Sequence, residues 1–184
     1  MKVKIIDNFL DQSTFENVER FTMGADFPWY YNNHVDYMGD KGERFQFVHA
    51  FYKEVSEGYQ VVHSSSFKFL IPIIEKLKSK ILIRVKANLL TQTSKIIENK
   101  LHIDRGLPQG GREVLSLSDI EKLKPYTTSI LYMNTNNGYT KFEDGTTVKS
   151  EANRMVTFPA SMRHLGSTCT DQKIRVVINF NYLK

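Results

Sequence analysis

Three side chains in this sequence have the types and spacing to hold a divalent metal. His102 and Asp104 lie two apart in the string HID, and His164 follows much later in SMRHLGS. On a strand, positions i and i+2 point to the same face, so an imidazole and a carboxylate converge without a special loop. Two imidazoles and one carboxylate form the facial set suited to non-haem iron, with positions left open for other ligands. The remaining histidines are His34, His49 and His63. A lone His-x-Asp is common, however, and its bland reading is a surface turn capped by Asp104. The spacing also allows a structural zinc site or a cupin-like metal site.

Arg175 bears on that choice. It stands eleven residues after His164, at the start of the apolar run KIRVVINFNYL. An arginine facing inward from such a strand needs an anionic partner, because burying it alone is costly. A ligand carboxylate would fit its two-pronged donor geometry. A salt bridge to Asp171, another acid or plain solvent would serve equally well on the sequence alone.

These residues need elements to position them. Residues 3–10 read as an edge strand running into a turn. Asp11 or Ser13 then caps a helix carrying Phe15, Val18 and Phe21 at helical spacing. FQFVHAFY at 45–52 reads as a strand. A second amphipathic helix covers 66–78, or starts at Pro72 inside that pattern. From residue 81 strands dominate: 81–90, 97–104, 127–134, 154–160 and 173–183, with a short helix at Leu117 to Leu123. Asn136, Asn137 and Gly138 make a turn, and Asp144-Gly145 marks a hairpin in TKFEDGTTVKS. On the last strand Val176, Ile178, Phe180 and Tyr182 share one face, and Arg175, Val177, Asn179 and Asn181 share the other. The apolar face can pack on the N-terminal helices, and the polar one can line a cavity. Two helical segments followed by strands predict a mainly β domain, a barrel or double-sheet sandwich supported by helices.

Composition sets outer limits. The 184 residues suit one domain, and 41% hydrophobic with 24% charged residues is ordinary for a globular chain. The formal net charge of +5 favours an anionic target only weakly, because the lysines are scattered. The single cysteine, Cys169, excludes an intramolecular disulfide and reads as a packed small residue. The start MKVKIIDNFL is too short in its apolar part for a signal peptide, and no apolar run reaches membrane-spanning length. The expectation is a cytoplasmic protein with no membrane partner.

The ordered motifs resemble the Fe(II)/2-oxoglutarate-dependent oxygenases, in particular the prolyl 4-hydroxylase-like branch and its short forms in bacteria and their viruses. That pattern is His-x-Asp, a Tyr-x-Asn strand, Gly-x-Thr-x-Phe, a distal His and then Arg. This chain reads HID at 102–104, LYMN at 131–134, GYTKFEDG at 138–145, RHLGS at 163–167 and KIRVVINFNY at 173–182. The resemblance is strong over about residues 80–184 and looser over IIDNFL and the FPWYY run. It implies a double-stranded β-helix (jelly-roll) core over 81–184, an N-terminal support region over 1–80, and one domain across 1–184. It implies iron on His102, Asp104 and His164, and 2-oxoglutarate on Arg175. Tyr132 would assist the same carboxylate, or serve as a core aromatic; Thr140 reads as structural first and cosubstrate-lining second.

The implied reaction is hydroxylation by Fe(II), 2-oxoglutarate and O2, with room for ascorbate. The substrate stays open among a prolyl or other peptidyl side chain, a nucleic-acid base and a small molecule. If the source is viral, the host cytoplasm is the setting. Two departures stand out: one glycine rather than two precedes Thr140, and 27 residues separate Asp104 from Tyr132. Within that segment, 105–127 reads as a substrate lid or a tolerated surface excursion. Trp29, Tyr30 and Tyr31 read as core packing, or as a stacking platform at the mouth of a cavity. Two competing functions remain: a non-catalytic or virion-associated binding module on the same fold, and a cupin-like metalloenzyme that does not use 2-oxoglutarate.

Overall fold

The computed structural model describes residues 2–35, 44–56, 59–104 and 116–184. Two β-sheets face each other, and helices cover the outer face of the larger one. The strands are β1 (Lys4–Ile6), β2 (Tyr30–Asn32), β3 (Gln46–Ser56), β4 (Tyr59–Val62), β5 (Ile81–Thr91), β6 (Tyr126–Tyr132), β7 (Tyr139–Phe142), β8 (Thr147–Lys149), β9 (Met155–Pro159), β10 (His164–Gly166) and β11 (Ile174–Leu183). The helices are α1 (Gln12–Thr22), α2 (Ile71–Leu77) and α3 (Leu117–Leu123). The major sheet has the order β1-β9-β6-β11-β5-β3-β2, with β4 paired to β3; the minor sheet has the order β10-β7-β8. Every strand pairing is antiparallel. This is a double-stranded β-helix, or jelly roll, with N-terminal helical support, as expected.

The period-2 pattern decides which side of the major sheet each residue serves. From β11, Val176, Ile178, Phe180 and Tyr182 enter the main apolar core with Phe15 and Val18 of α1 and Ile73 and Leu77 of α2. From β6, Leu131 enters the same core, while Ile130 and Tyr132 point the other way, into a second cluster with Phe142, Val148 and Phe158. That second cluster fills the space between the two sheets. The site lies beside it.

Local signals place the helix ends. The Asp11 side chain accepts from the Thr14 amide and caps α1, while Ser13 donates to Asp11. Ser116 and Asp119 form a reciprocal capping box on α3. Pro72 sits in the first turn of α2, where its missing N–H costs nothing, and a 3₁₀ turn over Ser65–Leu70 leads into it. The helix thus begins near the proline rather than running unbroken from 66. Gly145, with φ of +87°, closes the β7–β8 hairpin as the Asp-Gly signal predicts.

Four expectations change. Residues 97–104 form no strand; only isolated bridges, Glu98 to Ser167 and His102 to His164, tie that segment down. The edge strand expected over 3–10 shrinks to β1. The aromatic run divides: Trp29 packs on the core, but Tyr30 and Tyr31 are exposed on β2. The first 80 residues also give β1 to β4 to the major sheet, so they extend it as well as support it. Of the segment expected as a lid, 105–115, with Gly106, Gly110, Gly111 and Arg112, lies outside the described residues; the remainder contains α3. No helix among the described residues is long and apolar enough to cross a membrane.

Candidate metal centre

His102, Asp104 and His164 converge, with one potential ligand atom from each lying within 4.8 Å of the others. The two histidines meet as a directly opposed antiparallel pair. His102 N donates to His164 O at 2.9 Å, and His164 N donates to His102 O at 3.0 Å. Such pairing puts both side chains on one side of the backbone, with ring centroids 4.9 Å apart. A reciprocal bridge therefore does the positioning that a regular strand was expected to do.

The Nδ1 atoms of both rings are held by the backbone. His102 Nδ1 lies 2.9 Å from Lys100 O, and His164 Nδ1 lies 3.4 Å from Met162 O. A carbonyl only accepts, so in the neutral ring Nδ1 carries the proton and Nε2 keeps its lone pair. Both Nε2 atoms face Asp104 Oδ1, at 3.8 Å from His102 and 3.9 Å from His164. Burial drives the His164 pKa down to about 4, with Asp104 opposing, so this imidazole is neutral and ready to ligate near pH 7. Burial pushes the Asp104 carboxyl up, but His164, Arg84, His102 and a hydrogen bond from Asn181 outweigh it and hold it below the usual range. Asn181 Nδ2 donates to Asp104 Oδ2 at 2.9 Å and to Thr128 Oγ1 at 3.1 Å, which fixes the carboxylate's orientation.

The triad opens into a cavity of about 460 Å³ between the sheets. Arg175 reaches it from β11 and is only 3% exposed. Its Nε donates to Ser150 Oγ at 2.8 Å, and its Nη2 donates to Thr140 Oγ1 at 3.4 Å. Asp171 is engaged elsewhere, accepting from the Asn137 amide at 3.0 Å. No carboxylate pairs with the guanidinium among the described residues. Burial presses its pKa down, with only Tyr132 and Cys169 acting against that. A buried cation that lacks an anion and borders a cavity fits a carboxylate supplied by a ligand.

The surrounding residues hold Arg175 in place. The Asn134 amide grips β11 on both sides of it, donating to Ile174 O at 2.8 Å and accepting from Val176 N at 3.0 Å. Gly138 must be glycine, because a Cβ there would come within 2.7 Å of Arg175 Cδ and 2.8 Å of Thr168 O. Tyr139, at the next position, donates its hydroxyl to Glu98 Oε1 at 2.8 Å. Tyr132 is wholly buried, and its hydroxyl donates to Thr140 Oγ1 at 2.8 Å. Thr140 lines the cavity, and with its oxygen already accepting from Tyr132 its own proton is left to donate. The Tyr132 ring also lies under Arg175, 5.6 Å from Cζ to the ring centroid, so Tyr132 borders the cavity wall through both Thr140 and Arg175.

Residues 81–91 add what the sequence reading missed. Along β5, Val85, Ala87 and Leu89 enter the apolar core, while Arg84, Lys86 and Asn88 face the cavity. Burial lowers the Lys86 pKa to about 7, with Arg84 adding and Asp104 opposing. The signal was present as alternation in ILIRVKANLL. Ser150 carried no such signal.

No protein-family model matches the sequence, and a search of curated proteins finds no significant match. Solved structures do match in shape. A 2OG-Fe(II) oxygenase-family oxidoreductase from Burkholderia pseudomallei is 8% identical, with TM-score 0.64, covering 98% of this chain and 84% of that one. A prolyl-4-hydroxylase from Pseudomonas putida is 11% identical, with TM-score 0.60, covering 99% and 92%. The viral collagen prolyl hydroxylase from Paramecium Bursaria Chlorella virus-1, solved with 2OG, is 12% identical, with TM-score 0.53, covering 100% and 97%. The fold of this chain is the double-stranded β-helix that these Fe(II)/2-oxoglutarate oxygenases share.

Proposed function

We propose that the protein is an Fe(II)- and 2-oxoglutarate-dependent oxygenase that hydroxylates a C–H bond of its substrate. The observation that carries this reading is Arg175: a 3% exposed guanidinium on the cavity wall, without a carboxylate partner among the described residues, in the same cavity as a His-His-Asp cluster. His102, Asp104 and His164 would hold the iron, whose preference for two imidazoles and one carboxylate matches the donor set. Arg175 would hold the far carboxylate of 2-oxoglutarate, with Thr140 donating beside it and Tyr132 orienting Thr140. When bound, Fe(II), 2-oxoglutarate and O2 supply oxidative decarboxylation coupled to hydroxylation; ascorbate would serve only to keep the iron reduced. The chain's own part is to fix the ligands, seat the diacid and exclude water.

A cupin-like metalloenzyme without 2-oxoglutarate would need the triad but gives Arg175 no task. A binding module without catalysis needs neither. Anaerobic calorimetry separates these readings. The Fe(II)-loaded protein is expected to bind one equivalent of 2-oxoglutarate, and the metal-free protein far less. Equal binding with and without metal would sink the proposal.

A further inference from the structure

We propose that the far carboxylate of the diacid lies over Gly166, between Arg175 Nη1 and Asn99 Nδ2, and that Gly166 and Asn99 select a 2-oxo diacid over a 2-oxo monoacid. This rests on the oxygenase reading above and deepens it at the cosubstrate end of the same cavity.

The first support is a pair of unused donors. Arg175 spends Nε on Ser150 and Nη2 on Thr140, while Nη1 makes no hydrogen bond with a described residue. Asn99 lines the same cavity, and its backbone N donates to Gly166 O at 2.9 Å. Its Oδ1 accepts from Arg44 Nη1 at 2.9 Å. An arginine only donates, so that bond fixes which end of the Asn99 amide is oxygen and leaves Nδ2 on the Gly166 side. Asn99 Nδ2 makes no hydrogen bond with a described residue either. Two donors, one of them cationic, thus border one space, and an anion is the group that answers both.

The second support is the glycine itself. A Cβ on Gly166 would lie 3.4 Å from Arg175 Nη1 and 3.7 Å from Asn99 Nδ2, with no other described atom beyond its chain neighbours within 4 Å. Those are ordinary contacts, so packing would admit a small side chain. Nor does the backbone call for glycine, because Gly166 has no left-handed φ. Gly138 differs, since a Cβ there would meet Arg175 Cδ at 2.7 Å. What glycine preserves at 166 is open space in front of the two donors.

The third support is length. His164 and Gly166 stand two apart on β10, and both line the cavity, so they share its inner face. Two residues of strand span roughly 6–7 Å. The carbon chain of 2-oxoglutarate reaches about 5 Å. A diacid whose 2-oxo end lies at the metal ligands therefore brings its other carboxylate to Gly166. Thr140, the residue opposite Gly166 in the β7–β10 ladder, offers its hydroxyl from the far side. A monoacid leaves all of these donors unanswered.

The test uses Mn(II) in place of iron, so that nothing turns over. Calorimetry follows the binding of 2-oxoglutarate and of 2-oxobutyrate, which lacks the far carboxylate. Gly166→Ala and Asn99→Leu should each weaken 2-oxoglutarate by about tenfold or more, with 2-oxobutyrate changed by less than about threefold and Mn(II) affinity kept within about twofold. Unchanged 2-oxoglutarate binding in either variant overturns the proposal. So does an equal loss of both acids, which would mean a damaged pocket rather than a carboxylate subsite. A second arm needs neither metal nor cosubstrate. Gly166→Asp supplies a carboxylate to the same donors, so at pH 7 the metal-free variant should exceed Gly166→Asn in Tm by about 3 °C. That difference should vanish when Arg175→Met is added. Equal Tm values for the two variants overturn the proposal even where 2-oxoglutarate binds. Wild-type protein that takes up Mn(II) but no 2-oxoglutarate overturns the oxygenase reading and this proposal together, whereas wild-type binding with unaltered variants overturns this proposal alone.

Discussion

On one face of β11, Val176, Ile178, Phe180 and Tyr182 lie in the apolar core against α1 and α2; on the other, Arg175, Asn179 and Asn181 serve the cavity. Both faces are buried, yet burial means different things on each. The core face is complete within the chain: its side chains are apolar, and the one phenol, Tyr182, shares a hydrogen bond of 3.0 Å with Ser129. The cavity face is incomplete. Among the described residues, Arg175 has no anion beside it, and the Oδ1 atoms of Asn179 and Asn181 have no hydrogen-bond partner. Native interiors rarely leave such groups unmatched, so the concentration of them on one face marks where other molecules belong. The same strand therefore gives rigidity from one side and chemistry from the other.

Substitutions on the two faces should separate cleanly. Phe180→Ala on the core face is expected to cost about 3–5 kcal/mol in stability by urea unfolding. The folded fraction should still bind metal. A stable Phe180→Ala protein would mean that this face is not the core. On the cavity face, Arg175→Met should leave stability equal or raised, because it removes a buried cation. It should weaken 2-oxoglutarate by roughly a hundredfold, the loss of about 3 kcal/mol in charge-assisted hydrogen bonds, with iron retained. Unchanged cosubstrate affinity would remove Arg175 from its role. Asn181→Ala loosens Asp104, so metal affinity should fall by about tenfold, measured by competition with a chelator. No change there would mean the Asn181–Asp104 bond positions nothing. Tyr132→Phe is the mildest change. Losing the hydrogen bond to Thr140 should weaken 2-oxoglutarate by about fivefold, near 1 kcal/mol, and leave metal binding alone.

The division of β11 was legible in the sequence because period 2 is a strict rule along a regular strand. The site was legible in part. HID and the distal histidine gave the metal-binding set, but for a reason that the structure replaces. Residues 97–104 are not a strand, and His102 meets His164 through a reciprocal backbone pair. Such a long-range pairing leaves no local pattern. Arg175 was readable as an inward arginine, but its want of an acid was not, since Asp171 stood close in sequence and the structure turns it to Asn137. Gly138 was readable as a turn, whereas the reason for glycine is the passing Arg175 side chain 37 positions away. Ser150 gave no signal, because a serine beside a strand end looks like any other. Lys86 and Arg84 gave one that was easily passed over: in an apolar strand, alternating cations look like a solvated edge until the opposite sheet is in place.

The central claim is that one cavity holds a metal on His102, Asp104 and His164 and a diacid on Arg175. The most direct measurement is the visible spectrum of the anaerobic protein with Fe(II) and 2-oxoglutarate. A weak charge-transfer band should appear only when both are present, saturate at one equivalent of each, and be absent in His164→Ala. Iron bound at the triad with no band on adding 2-oxoglutarate would contradict it.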